Sequence, residues 1–193
     1  MQTGTRKDII KLPNPALRQR SKKIGIVDEK VLAIIEFMQQ ATIDWEKSRD
    51  HEVSVALAAV QADILYRIVI IRDDFDDKDN QNFQVFINPE ITKYEGQLVN
   101  DYEGCLSIKN VYGLVPRYDK VRVKALNISG KPIKLSATGF LSRIFQHEID
   151  HTNGKLFIDH IKDDPDAFFM LTSDGKLEKL DYQKVISDEE LWT

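Results

Sequence analysis

"FQHEIDHTNGKLF", Phe145 to Phe157, decides how the rest of the chain is read. Its H-E-x-x-H core sets His147 and His151 four residues apart, about one turn along the same face of a helix. Glu148 projects beside them, placed to accept a proton from a metal-activated water. The pattern therefore combines two neutral imidazole ligands with a general base. The same letters also occur by chance in helices that hold no metal. Upstream, Leu141, Ile144, Phe145 and Glu148 fall at helical spacing, so the helix is predicted from Thr138 to about His151.

A catalytic metal site normally takes three protein ligands and keeps one position open. A longer metalloprotease pattern would place the third histidine at 157, after Gly154, but a phenyl ring stands there. His160 comes three residues too late for that pattern. Glu178, in "DGKLEKL", does not sit on a convincing ligand helix. Cys105, in "YEGCLS", remains: its thiolate is a strong ligand for zinc or ferrous iron. Taken alone, a lone cysteine is more often a small buried apolar residue.

Further upstream, "DEKVLAIIEFMQQATIDWEK" reads as an amphipathic helix from Asp28 to about Lys47. Asp28 is the expected N-cap, and Val31, Ile34, Ile35, Met38 and Trp45 fall near one face. "KLPNPALRQRS" predicts a turn leading into a short helical segment or an extended arm. "ILYRIVIIRDD" predicts a buried strand, followed by a solvated acidic loop, "DDFDDKDNQN". "FQVFINPEI" predicts a strand stopped by Pro89. "GQLVNDYEGCLSI", "DKVRVKALN" and the end of "ISGKPIKLS" predict further strands. Past about residue 165 the signal fades, and "SDGKLEKLDYQKVISDEELWT" fits a polar hairpin or a short surface helix. A helix, several strands and a late helix argue for an α+β fold, antiparallel β-sheets around a central helix carrying H-E-x-x-H. No boundary signal divides residues 1–193, so one catalytic domain is expected.

Composition excludes several classes. The 193 residues are 42% hydrophobic and 30% charged, typical of a soluble globular chain. No apolar run approaches the roughly 18 residues of a membrane span. The opening "MQTGTRKDII" is polar, with no apolar signal core. A net charge of −4 offers no argument for nucleic-acid binding. A single cysteine allows no internal disulfide and suits a reducing cytoplasm.

The chain resembles the peptide deformylases. "EGCLS" (Glu103 to Ser107) and "QHEIDH" (Gln146 to His151) look like that family's cysteine and histidine motifs, complete and in order. "NGKLFIDHI" and "PNPALR" also look like family segments. The resemblance implies that Cys105, His147 and His151 bind the metal and that Glu148 is the catalytic acid–base. It further implies that the Gln61 side-chain amide and the Leu106 backbone N–H hold the scissile carbonyl oxygen. The implied reaction is hydrolysis of the N-formyl group from the initiator methionine of nascent polypeptides, releasing formate. Protein biosynthesis and N-terminal methionine processing are the implied setting, with a ribosome-proximal substrate. The implied cofactor is Fe2+, although Zn2+, Ni2+ or Co2+ suit the same donors in a purified sample.

One motif departs from the family's G-x-G-L-A-A-x-Q. "SVALAAVQ" (Ser54 to Gln61) keeps the second half but carries Ser54 and Ala56 at the glycine positions. A methyl group at Ala56 would narrow the cleft, and a positive φ there would add about 1 kcal/mol of strain. Ordinary φ values with inward side chains would change little. An altered cleft would favour a deformylase-like amidase with a different N-acyl or peptide substrate. Of the remaining polar residues, Glu103 and Arg117 are expected to pair, buried or solvated. Arg143 is expected to face either the substrate pocket or solvent, and Ile144 the core or the pocket wall. Asp150 is expected to be an exposed helix carboxylate in preference to a partner that orients a histidine, His51 a loop residue and His160 structural.

Overall fold

A computed structural model describes residues 3–48, 53–74, 77, 79–172 and 174–192. The first helix, α1 (Glu29–Glu46), begins where expected, since the Asp28 side chain accepts the Val31 N–H at 3.0 Å. Val31, Ile34, Ile35, Met38 and Trp45 are all buried on its inner face. Before it, "PALR" closes into a 3-10 turn, Pro15–Arg18, capped by Asn14.

Among the described residues, seven strands form one sheet: β1 (Ala56–Ala58), β2 (Ile68–Arg72), β3 (Phe83–Cys105), β4 (Ile108–Leu126), β5 (Pro132–Thr138), β6 (Phe168–Leu171) and β7 (Leu177–Lys179). Their order is β1-β2-β3-β4-β6-β7, with β5 beside the second half of β4, and all these pairings are antiparallel. The wholly buried "IVIIR" of β2 matches its β-branched composition.

Pro89 does not end a strand. β3 runs through it for 23 residues, because the register shifts between the pairs Ile87/Leu126 and Glu90/Lys124. A proline lacks a ladder donor and is tolerated at such a bulge. Asn88 takes the left-handed φ of 52° there, and its side chain bonds the Ile24 backbone in both directions. "KNVYGLVPRY", which carried no strand prediction, is the first half of β4.

The second long helix, α2 (Gly139–Thr152), follows β5 directly. Gly139 has φ +56°, the left-handed turn that lets a strand become a helix without a loop. At the other end Gly154 (φ +73°) stops the helix. Its N–H reaches the His151 carbonyl at 3.1 Å, and the Lys155 N–H reaches that of Asp150 at 3.0 Å. A Cβ at Gly154 would fall 2.4 Å from the Arg18 carbonyl oxygen. The "NG" after H-E-x-x-H thus fixes the turn that carries His151.

One apolar cluster joins α1 to β1 and β2, and a second fills the space between the sheet and the Ile144–Phe145–Ile149 face of α2. A third gathers Val115, Phe157, Ile158 and Phe168 with two short terminal helices, α3 (Tyr182–Ser187) and α4 (Glu189–Trp192). The tail therefore contains both a hairpin and helical turns. None of the helices is long and apolar enough to cross a membrane.

Candidate metal centre

Cys105 is the last residue of β3, and Leu106 and Ser107 make the two-residue turn into β4. This turn faces the buried side of α2. Cys105, His147 and His151 converge there with donor atoms all within 4.8 Å of one another. Cys105 Sγ lies 3.3 Å from His151 Nε2, and the imidazole rings stand 4.9 Å apart at 71°. Among the described residues this is the group able to hold a metal. His160 is not in it, and His51 lies outside the described residues. Phe157 is buried and lies nearly parallel to the His147 ring, 6.1 Å away, so it packs where the longer pattern would have ligated.

Behind the donors stands Glu103, two residues before Cys105 and buried. Its Oε2 is 2.9 Å from His147 Nδ1, which leaves His147 Nε2 for the cluster. Arg117 grips the same carboxylate through Nε at 2.9 Å and Nη2 at 3.1 Å. Arg143 adds a third contact at 2.7 Å and also bonds the Val99 and Val115 carbonyls. The Glu103–Arg117 pair is thus buried rather than solvated, and Arg143 is bound to Glu103 rather than turned to solvent. Sequence reasoning missed the contact to His147. Its signal was the E-x-C spacing, which puts Glu103 and Cys105 on one face of a strand.

Asp150 is not an exposed carboxylate. It accepts from Arg117 Nη1 at 2.5 Å and lies 2.7 Å from His160 Nε2. A buried arginine one helix face away captures it, and the histidine it orients is His160.

Burial works against a protonated His147, but Cys105 and Glu103 outweigh it and hold its pKa well above the usual value. Burial, then the charge on His147, pushes His151 well below. Burial also opposes the charge on Glu103, yet hydrogen bonds from His147 and Arg117 keep it far below the carboxylate range. For Glu148, burial pushes the pKa up to about 7. Its Oε2 has no hydrogen-bond partner among the described residues.

Gln61 completes the arrangement from the other side. Its Oε1 accepts the Ala58 N–H at 2.9 Å, which turns Nε2 toward Cys105 Sγ at 3.4 Å and Ser107 Oγ at 3.3 Å. These groups open onto a cleft of about 410 Å³ lined by Gln61, Cys105, Leu106, Ile144, His147 and Glu148, among others. One thiolate and two imidazoles, with an orphaned buried carboxylate alongside, fit a divalent transition metal with an open position.

Residues 6–166 match the family model described as "Polypeptide deformylase". The chain belongs to the peptide deformylase family. It is 40% identical over 153 residues to the peptide deformylase of Halothermothrix orenii, covering 79% of this chain and 92% of that one. It is 38% identical over 173 residues to that of Prochlorococcus marinus, covering 89% and 82%. The crystal structure of a Synechococcus elongatus peptide deformylase in complex with actinonin superposes with a TM-score of 0.72 at 34% identity, covering 81% and 80%. The Legionella pneumophila deformylase gives 0.70 at 37%, covering 79% and 83%. The chain is accordingly a metal-dependent hydrolase that removes the N-formyl group from the initiator methionine of nascent polypeptides.

The variant motif leaves the buried Ser54 Oγ with no hydrogen-bond partner among the described residues. Neither Ser54 nor Ala56 has a left-handed φ. Ala56 belongs to the buried cluster under α2 and touches the cleft only at its wall. Ser54 is fully buried, its N–H donating to Glu46 at 3.2 Å and its carbonyl accepting from Arg72 at 3.3 Å. The backbone strain that a positive φ at Ala56 would bring does not arise, and the reading with ordinary φ holds.

Proposed function

We propose that Cys105, His147 and His151 hold the metal, that Glu148 carries the proton, and that Gln61 with the Leu106 N–H binds the formyl oxygen. The convergence of three soft donors beside the unpartnered Glu148 oxygen carries this reading. A divalent ion held by Cys105, His147 and His151 would supply Lewis acidity and acidify a water. Glu148 accepts the water proton and returns it to the amine nitrogen. The new C–O bond replaces the C–N bond, and formate leaves. Gln61 and Leu106 line the cleft beside Cys105, and the approach of Gln61 Nε2 to Cys105 Sγ supports a donor role toward charge developing on the carbonyl oxygen. Glu103 keeps His147 in the tautomer that presents Nε2.

The thiolate and two imidazoles suit ferrous iron, the ion we assign in the cell, with zinc, nickel and cobalt as substitutes. Residues 1–193 act as one catalytic domain, cytoplasmic and near the ribosome, where formylated chains emerge. The continuous sheet supports the first point, and the lone cysteine supports a reducing compartment. The test is formate release from formyl-Met-Ala-Ser by protein loaded anaerobically with ferrous iron, beside Glu148→Ala. Turnover that survives in the variant would remove Glu148 from its role.

A further inference from the structure

The family match ends at residue 166, and two residues later β6 begins. β6 extends the sheet beside β4 through the pairs Tyr112/Phe169 and Gly113/Phe168. β7 folds back on it, with Leu171 directly opposite Leu177. Side chains alternate along a strand, so Phe169 and Leu171 share a face, and Leu177 joins Leu171 across the pair. Two observations orient that face. The Phe169 ring meets Tyr102 edge-on at 5.1 Å, and Leu171, Gly175 and Leu177 line the same cleft as Cys105, His147 and Glu148.

The wall is held from behind. The Phe168 ring lies 6.2 Å from that of Tyr182 and 6.3 Å from that of Trp192. Trp192 Nε1 donates to the Val185 carbonyl at 2.9 Å, and Leu180 N–H to that of Phe168 at 2.9 Å. Leu171 and Leu177 are half-buried, apolar surface left at the border of an open cleft.

We infer that the β6–β7 hairpin is a specificity wall, in which Leu171 and Leu177 select formylmethionyl peptides with an apolar residue at one of the two positions that follow the methionine. This rests on the deformylase reading, since the formyl carbon must sit at the Cys105–His147–Glu148 end. The chain beyond the methionine then leaves across the remaining walls, one of which is the hairpin. An apolar side chain gains by covering Leu171 and Leu177, whereas a carboxylate there loses water without gaining a partner.

The experiment measures kcat/KM for formyl-Met-Ala-Ser, formyl-Met-Leu-Ser, formyl-Met-Asp-Ser, formyl-Met-Ala-Leu and formyl-Met-Ala-Asp on the iron-loaded full chain. The wild type is expected to favour leucine over aspartate about tenfold at one of the two positions. Leu171→Asn with Leu177→Asn should reduce that ratio to about twofold or less. Leu177→Lys should move it toward aspartate. A ratio taken on one preparation is independent of how much of it is folded, so a purely structural role for the hairpin would lower every substrate alike. An unchanged ratio in the variants, or no preference in the wild type, overturns the inference. Absence of turnover on every peptide by the wild type would instead defeat the deformylase reading itself.

Discussion

Glu103 Oε2 lies 2.9 Å from His147 Nδ1, while Arg117 and Arg143 hold the same carboxylate. One buried anion therefore fixes the ring of a proposed ligand and, with Asp150, balances two buried guanidinium groups. Replacing Glu103 by Gln keeps the shape and removes the charge. Metal affinity should fall about 10- to 100-fold, as for other groups that orient ligating histidines. Stability should fall by about 3 kcal/mol, because buried Arg143 loses its carboxylate and Arg117 keeps only Asp150. Competition with a chelator and urea unfolding measure the two effects separately. Unaltered affinity would mean that Glu103 merely staples the arginines.

Gln61→Ala removes an N–H donor aimed at the cleft and at Cys105 Sγ, and keeps the three proposed ligand side chains. Turnover should drop about 10²- to 10³-fold with KM little changed, since the donor acts on charge that develops during reaction. Steady-state kinetics at full metal loading decide the point. A large rise in KM with normal kcat would assign Gln61 to ground-state binding.

Glu148 should make the metal-free protein less stable as the pH rises. Its carboxyl titrates near 4.5 when unfolded and is pushed up to about 7 by burial when folded. Between those values the folded state binds more protons than the unfolded one, so its stability declines through that window. Above pH 7 the deficit is on the order of 3 kcal/mol. Glu148→Gln cannot titrate. With metal chelated, the variant should therefore be more stable than wild type at pH 8 by roughly 1–3 kcal/mol, with the gap closing by pH 5. Urea midpoints across that range check it, and a pH-independent gap would contradict it.

Where a local rule dictates a residue's placement, the sequence was a good guide. The four-residue histidine spacing, the Asp28 cap and the β-branched run of β2 each depend on neighbours in the chain, and each appears in the structure. The misreadings depend on partners far away. Pro89 looked like a stop, but a register shift against β4 absorbs its missing donor. Asp150 looked exposed because Arg117, which captures it, lies 33 residues earlier. The tail gave only a choice between a hairpin and a short helix, and contains both, because its elements are too short to show a period: α3 spans six residues and β7 three. Its order comes from a shared core instead.

That shared core makes the tail a stability determinant. Leu191, near the end of the chain, is 7% exposed in the cluster around Phe157 and Phe168. Its carbonyl accepts from Arg18 Nη2 at 3.3 Å, tying α4 to the 3-10 turn near the start of the chain. Lys162 Nζ sits over the adjacent Trp192 ring at 5.1 Å. Leu191→Ala removes a buried side chain where the surroundings can relax, so its cost should lie near the low end for such substitutions, about 2 kcal/mol. A tail merely laid on the surface would lose within about 0.5 kcal/mol. Urea unfolding separates these outcomes. The larger loss would show that residues past the family match help hold together the core beneath β4, the strand that leads away from the cysteine turn.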